Sequence, residues 1–133
     1  MTKIKPTSTH DENKRLLEAE CLEIYAANQI SGQWTLAICS FLATGKMRFG
    51  ELKKNLQTIT DRMLTLELKK IEEKGLITRN VYPEVPVRVE YELTALGMDL
   101  LPIIRELEKW GKKHKEHFAA KNTLPAPAID NRY

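Results

Sequence analysis

The chain has 133 residues, 42% of them hydrophobic, which suits one globular domain with a buried core. Its 21 lysines and arginines against 18 aspartates and glutamates give a net charge of +3, which permits an anionic partner without proving one. The 2 cysteines are too few for a disulfide scaffold, and no long apolar run predicts a signal peptide or a membrane span. We therefore expect a cytoplasmic protein without membrane contact.

The N-terminal part of the chain changes character at about residue 13. Residues 1–12 are polar and offer too little apolar surface to offset the entropy of ordering them, so we expect a disordered tail. Apolar residues at helical spacings then predict helical structure over residues 13–30, with a break near Cys21. The next helix, over about 33–43, is apolar on several sides, which predicts a central place in the core.

Two further helices follow, joined by a short loop. The first lies within residues 47–56; the second starts at Thr60, a good N-cap, and stops at Gly75. Apolar residues at i, i+4 and i+7 mark the buried side of the second helix: Leu64, Leu68 and Ile71. The opposite side carries Arg62, Thr65, Leu66 and Lys69.

After Gly75 the apolar period changes from helical to two. This pattern predicts a two-stranded hairpin, with strands over 76–81 and 88–93 and a rigid proline-containing turn over 82–87. A long helix over about 94–118 follows, interrupted in pattern by a proline near its first turns. The proline-rich residues 119–133 are expected to form a disordered tail.

This order of elements predicts a mainly α fold with a small β-hairpin, a winged helix-turn-helix domain over residues 13–118. A helix fits the DNA major groove, where residues near its N-terminus reach base edges while neighbouring cations hold phosphates. The candidates for base contact are Thr60, Asp61, Arg62 and Thr65. The candidates for phosphate contact are Arg48, Lys53, Lys54 and Lys69. A charged helix face alone is usually only a solvated surface, so the prediction rests on the order of elements.

Three side chains of this predicted interface have distinct expected roles. Arg62 has the fork that grips guanine bidentately. Leu66 can only meet a thymine methyl group or fill a gap. Arg88, near the hairpin tip, is expected to reach phosphate or the minor groove, as a wing does.

Three stretches of the sequence resemble the HxlR-type winged-helix transcriptional regulators. They are residues 48–52, residues 59–65 and residues 81–94, the last with its Tyr-Pro-Glu wing motif. Upstream, Cys21 and Gly32-Gln33-Trp34 stand where the family has Cys-Pro and Gly-Gly-Lys-Trp, so the resemblance spans about residues 21–111. Three positions depart from the family pattern: Leu22 for proline, Gln33 for lysine and Asp61 for glutamine. The last departure suggests a different operator preference.

The resemblance implies a homodimer that regulates transcription by binding double-stranded DNA. Residues 60–69 would enter the major groove, and the wing over 83–88 would touch the flank. Dimer contacts would come from N- and C-terminal dimerisation helices, the first contributing Leu16 and Leu17.

An apolar face on the long C-terminal helix independently predicts dimerisation. This apolar face is long for so small a domain, so we expect it to pack against a second copy of the chain. The alternative is that it packs only within its own chain. It consists of Leu96, Leu100, Ile104, Leu107 and Trp110. A two-fold dimer places its recognition helices about 34–36 Å apart, one DNA turn, and so predicts an inverted-repeat operator.

The two cysteines receive different interpretations. Some members of the resembled family sense oxidants or electrophiles through a cysteine near this position, so the resemblance makes Cys21 a candidate redox sensor. The alternative for Cys21 is a small buried apolar group, which is our interpretation of Cys39.

Enzyme function is not predicted. The sequence has no nucleophile motif, phosphate loop or CxxC pair, and we assign no catalytic residue, cofactor or metal. His114, Glu116 and His117 lack an apparent further ligand and are interpreted as a solvated helix end. The alternative function is a protein-interaction module on a winged-helix scaffold without sequence-specific DNA binding. The sequence identifies neither an operator nor a small-molecule effector.

Overall fold

The computed structural model describes residues 6–121 of the chain. Within this range, the elements in order are α1 (Pro6–Glu20), α2 (Leu22–Gln29), α3 (Thr35–Leu42), β1 (Met47–Arg48), α4 (Phe49–Leu56), α5 (Asp61–Glu73), β2 (Ile77–Tyr82), β3 (Arg88–Leu93) and α6 (Ala95–Lys121). Helices α4 and α5 form the helix-turn-helix, and β2 and β3 form the wing. The predicted mainly helical, winged helix-turn-helix class is confirmed.

The sheet has three strands where the sequence predicted two. Its order is β1-β3-β2, and both pairings are antiparallel. Strand β1 pairs Met47 with Tyr91 and Arg48 with Glu90. A strand of two residues is too short to show a period of two, which is why the sequence assigned these residues to the following helix. The predicted hairpin is present as β2 and β3, the third strand β1 was not predicted, and α4 begins at Phe49.

The core lies between the helices and one face of the sheet. Helix α3 is central, as predicted, because Ile38, Cys39 and Leu42 are all buried. Helix α5 contributes its predicted stripe, and burying each such aliphatic side chain contributes about 1.5–3 kcal/mol relative to leaving it exposed. The buried hydrophobic cluster comprises Ile38, Cys39, Leu42, Leu52, Leu56, Ile59, Leu64, Leu68, Ile71, Leu76, Ile77, Tyr91 and Ile104.

Helix α5 is fixed at both ends by backbone capping. At its start, Thr60 Oγ1 accepts a hydrogen bond from the Met63 amide at 3.1 Å, as predicted for an N-cap. At its end, Gly75 has a φ of +78°, a left-handed conformation that favours glycine. The amides of Gly75 and Leu76 donate to the carbonyls of Glu72 and Ile71, which completes a Schellman-type stop.

The turn between α4 and α5 is tight and strained. Gln57 has φ 62° and ψ −63°, and the Thr58 amide donates across it to the Leu56 carbonyl at 2.7 Å. This is a γ-turn of the rare hand, which costs backbone energy outside glycine. The turn sets the direction in which α5 leaves α4.

The N-terminal helix begins earlier than predicted. Helix α1 starts at Pro6, so the expected disordered tail over residues 1–12 is wrong for its second half. Proline is tolerated in the first turn of a helix, because the amide it lacks has no partner there anyway. The predicted break near Cys21 is confirmed, since Cys21 separates α1 from α2. Residues 1–5 of the predicted tail lie outside the described residues.

Helix α6 is anchored to the end of α5. Thr94 Oγ1 accepts from the Gly97 amide at 3.0 Å and donates to the Gly75 carbonyl at 2.6 Å. The helix runs on through Pro102 to Lys121, three residues past the predicted end, and residues 122–133 of the predicted tail lie outside the described range. Among the described helices, none has the length and apolar character needed to cross a membrane.

Candidate nucleic-acid interface

The outer face of α5 is exposed as the sequence predicted. Arg62, Thr65, Leu66 and Lys69 all face solvent, opposite the buried stripe. Within residues 6–121, the side chains of Arg62 and Lys69 take part in no ion pair or hydrogen bond. Both cations are therefore available to an anionic partner. Leu66, 50% exposed, stands between them and has no place in the core.

The structure brings together two predicted contacts that the sequence treated separately. Lys53 Nζ on α4 lies 2.7 Å from Asp61 Oδ1 in the first turn of α5. Asp61 also interacts favourably with the positive end of the α5 dipole. Both side chains are well exposed, so the pair adds little to stability. Its main consequence is that the Asp61 carboxylate partly neutralises Lys53 at the start of the recognition helix.

The two threonine hydroxyls of the predicted interface are already engaged. Thr60 Oγ1 caps α5, and Thr65 Oγ1 donates to the Asp61 carbonyl at 2.8 Å. Each hydroxyl oxygen keeps acceptor capacity, and both residues are exposed. These threonines therefore have fewer free hydrogen-bonding groups to present to a base edge than Arg62 has.

The remaining predicted phosphate contacts lie at the two ends of α4. Arg48 is the N-cap, and its backbone amide donates to Glu51 Oε1 at 2.8 Å while its side chain stays exposed. Lys54 is exposed, and it borders an open surface depression together with Gly50, Lys53 and Gln57. Of the α4 cations, Lys53 is the one that contacts the start of α5, through Asp61.

Arg88 lies in a network internal to the wing. Its Nη1 is 2.8 Å from Glu90 Oε2 and its Nη2 is 2.9 Å from Glu84 Oε2. The guanidinium carbon lies 4.0 Å from the centre of the Tyr82 ring, in cation–π contact. Lys46 Nζ approaches Glu90 Oε1 at 3.5 Å. The sequence predicted a DNA contact at Arg88, but the structure engages this guanidinium with the wing itself.

The charges of this network perturb one another. Burial opposes ionisation of Glu90, yet the hydrogen bond and positive charge of Arg88, with Lys46, outweigh it and lower the carboxyl pKa. The hydrogen bond to Glu84 is the main cause that raises the pKa of Arg88. The network therefore favours the charged forms of Glu90, Arg88 and Lys46.

One exposed cation near α5 was not among the predicted contacts. Arg79 follows buried Ile77 by two positions on β2, so it projects on the same face of the strand as Ile77. The alternation of residues 77–81 was visible in the sequence and would have placed Arg79 on this face. This alternation by itself does not indicate a DNA contact, so none was predicted at Arg79.

The predicted dimer residues divide into two groups. Leu16, Leu17, Leu96, Leu107 and Trp110 are exposed apolar side chains on α1 and α6. Leu100 is half-buried and packs against the core. Ile104 is only 7% exposed and belongs to the core of its own chain, which leaves it little surface for contact with a second copy. The helical spacing that identified the apolar face of α6 cannot distinguish residues that pack on the core from residues that point to solvent.

The two cysteines lie in different surroundings. Cys21 is a half-buried free thiol at the N-cap of α2, whereas Cys39 is fully buried in α3. Burial raises the pKa of Cys39 to about 11, so this thiol stays protonated at neutral pH. The interpretation of Cys39 as a buried small apolar group is confirmed.

The histidines near the end of α6 contact aromatic rings. The His114 ring lies 5.0 Å from the Trp110 ring and 4.7 Å from the Phe118 ring, centre to centre. His117 meets Phe118 edge to face. Over residues 6–121, no three histidine, cysteine or acidic side chains are grouped closely enough to hold a metal ion.

Comparison with known proteins identifies the family. The family model described as HxlR-like helix-turn-helix matches residues 29–119. A protein of Methanothermobacter thermautotrophicus named as an uncharacterized HTH-type transcriptional regulator is 45% identical over 97 residues, which are 73% of this chain and 74% of that protein.

Solved structures agree with the sequence match. The redox regulator HypR in its oxidized form has a TM-score of 0.65 and 38% identity, over 70% of this chain and 96% of that one. The reduced form of the transcriptional regulator YodB from B. subtilis has a TM-score of 0.62 and 28% identity, over 82% and 98%. The chain therefore belongs to the HxlR-like helix-turn-helix family of DNA-binding transcriptional regulators, which are not enzymes.

Proposed function

We propose that this chain acts in the cytoplasm as a homodimer that binds an inverted-repeat operator and regulates transcription in response to thiol oxidation. The observation that carries the proposal is Arg62, exposed in the first turn of α5 two residues after the cap at Thr60, with a side chain unpaired among residues 6–121. The first turns of a recognition helix are the part that reaches base edges.

Sequence preference would come mainly from Arg62. A guanidinium presents two parallel donors to the O6 and N7 atoms of guanine, a contact that no other base pair offers in the major groove. Leu66 would add apolar contact with a thymine methyl group. Asp61 would act mainly through Lys53, whose charge it offsets at 2.7 Å.

The surrounding cations would hold the backbone of the DNA. Arg48 at the N-cap of α4, Lys54 on α4 and Lys69 on the outer face of α5 are all exposed. Such contacts release condensed counterions and make affinity depend steeply on salt. They position the recognition helix without reading sequence themselves.

Dimerisation is supported by apolar surface on two helices that are distant in sequence. Leu16 and Leu17 on α1, with Leu107 and Trp110 on α6, are each more than 40% exposed. Side chains of this kind are unfavourable in water and are typical of an interface with a second copy. A two-fold axis near α6 would present two copies of α5 to successive turns of one DNA face.

Redox response is supported by the position of Cys21 and by two relatives. Cys21 is reachable at the junction of α1 and α2, next to the proposed dimer surface. HypR is described as a redox regulator, and YodB has been solved in reduced and diamide-treated forms. Two Cys21 thiols that form a disulfide lose two protons and two electrons, which an azo oxidant such as diamide accepts to become the hydrazine.

The test of the proposed function measures affinity for operator and mixed-sequence DNA, using fragments that the purified protein retains from its own genome. Arg62→Ala should weaken operator binding by roughly 1–3 kcal/mol and leave mixed-sequence binding almost unchanged, because only the base contact is lost. Arg105→Ala, which removes an exposed arginine from the side of α6 away from its apolar face, is the matched control.

Two results would contradict this proposal in different ways. Equal weakening on operator and mixed-sequence DNA would make Arg62 a phosphate contact. Affinity that is absent, or that does not fall with salt, would favour a protein-interaction module on the same scaffold.

A further inference from the structure

The wing has two faces with different electrostatic character. Strand alternation and the β2–β3 register place Arg79 beside Tyr91 on the face that also carries buried Ile77. The same register places Arg88 beside Tyr82 on the opposite face. The first face turns toward α5, and the second carries the network of Glu84, Arg88 and Glu90.

A cleft separates the first face of the wing from the recognition helix. Its volume is about 240 Å³, and it is lined by Thr65, Leu68, Lys69, Glu72, Arg79 and Tyr91. Lys69 stands on the α5 wall and Arg79 on the β2 wall, and both are exposed. Neither side chain forms a hydrogen bond or ion pair with any residue in the range 6–121.

The geometry of DNA gives such a cleft a natural occupant. A helix in the major groove and a wing that reaches the adjacent minor groove lie on either side of one sugar-phosphate strand. That strand must pass between the two elements. Cations on both walls of the intervening cleft are therefore placed to meet its phosphates.

We propose that this cleft binds a phosphate of the DNA backbone between Lys69 of α5 and Arg79 of β2, and that Arg88 serves only to position the wing. The inference rests on the proposed function and adds a site to it. In this proposal the wing residue that contacts phosphate is Arg79, on the first strand of the hairpin, instead of Arg88 near its tip.

Arg88 fits the positioning role because its donors are already used. Two carboxylates hold its guanidinium at 2.8 and 2.9 Å, and Tyr82 covers one of its faces. A phosphate would have to displace Glu84 or Glu90 to reach it. The same contacts tie the tip of the wing at Glu84 to the body of β3 at Glu90, which stiffens the hairpin.

Glu72 defines which end of the cleft the phosphate occupies. Thr65, Lys69 and Glu72 follow one another along α5, so the carboxylate lies at the end nearer the C-terminus of the helix. Repulsion between Glu72 and phosphate favours the end near Thr65 and Lys69. Removing this charge with Glu72→Gln should strengthen binding to any duplex.

The experiment measures the salt dependence of affinity for a mixed-sequence DNA duplex, with full-length protein. Each phosphate contact contributes about 0.9 to the slope of log K against log salt, so Arg79→Gln should reduce the slope by about 2 in a dimer. At 0.1 M salt the affinity should fall roughly eightfold for each subunit. Arg79→Lys should restore most of the slope, and Lys69→Gln should reduce it as Arg79→Gln does.

Two further variants, Arg88→Gln and Arg105→Gln, are compared with Arg79→Gln. Arg88→Gln should lower the thermal midpoint and the affinity while keeping the wild-type slope, and Arg105→Gln should change neither quantity. An unchanged slope in Arg79→Gln overturns the cleft site, and a reduced slope in Arg88→Gln overturns the positioning role. If the wild-type protein shows no salt-dependent affinity for DNA, that result contradicts the proposed function and the cleft site together.

Discussion

Cys21 and Cys39 show how position decides what a side chain can do. Cys39 lies in the centre of α3 with no exposed surface, and burial raises its pKa to about 11. The thiolate is the reactive form, so Cys39 is inert at neutral pH. Cys21 is reachable from solvent at a helix junction. Any thiol chemistry of the folded chain is therefore expected at Cys21.

Oxidation should change DNA binding only through Cys21. Diamide treatment of the wild type is expected to shift operator affinity by roughly 5- to 150-fold, the usual range of coupling between two sites. The shift should disappear in Cys21→Ser and persist in Cys39→Ala, and a gel-shift titration measures all three. Oxidised wild-type protein that binds as reduced protein does would refute redox control.

At the scale of elements, α6 meets the end of α5 through a close backbone approach. A Cβ at Gly97 would overlap the Leu76 carbonyl oxygen and lie 2.9 Å from Leu93 Cδ2. Gly97→Ala should therefore destabilise the chain by about 1–3 kcal/mol, because backbone cannot move aside as a flexible side chain can. Thermal unfolding at fixed protein concentration measures the loss.

Gly50 provides the control for this substitution. It lies in α4 with no atom within 4 Å of an added Cβ. Gly50→Ala should be neutral or gain up to about 1 kcal/mol, because alanine loses less conformational entropy in a helix. A Gly97→Ala protein as stable as Gly50→Ala would contradict the packing described for α6.

Helix α5 was predictable from sequence because its determinants are local. The cap at Thr60, the stripe of Leu64, Leu68 and Ile71, and the stop at Gly75 all act within one turn of their own positions. The exposed face that forms the candidate DNA surface followed from the same period. Strand β3 was likewise predicted with its observed bounds, residues 88–93.

Features that depend on distant residues were not predictable in this way. The pair between Lys53 and Asp61 spans the turn between two helices, in which Gln57 has a positive φ. The side of the wing on which Arg88 lies depends on the register of β2 with β3. Ile104 has the same spacing as its exposed neighbours on α6, and only packing against α3 and the sheet separates it from them.

At the scale of the whole molecule, the proposed second copy would let the protein read a longer site. One α5 covers a few base pairs, and apolar surface on α1 and α6 remains uncovered in the single chain. Joining two chains across that surface would bury it and set two recognition helices at a fixed spacing. The proposed regulator therefore depends on dimerisation for specificity as well as for stability.

The most direct test of this account is a hydroxyl-radical footprint on DNA that the purified protein enriches from its own genome. The expected result is two protected half-sites in inverted orientation, with centres about 10–10.5 base pairs apart. A single protected half-site, or two half-sites in direct repeat, would contradict a two-fold dimer that reads DNA through α5.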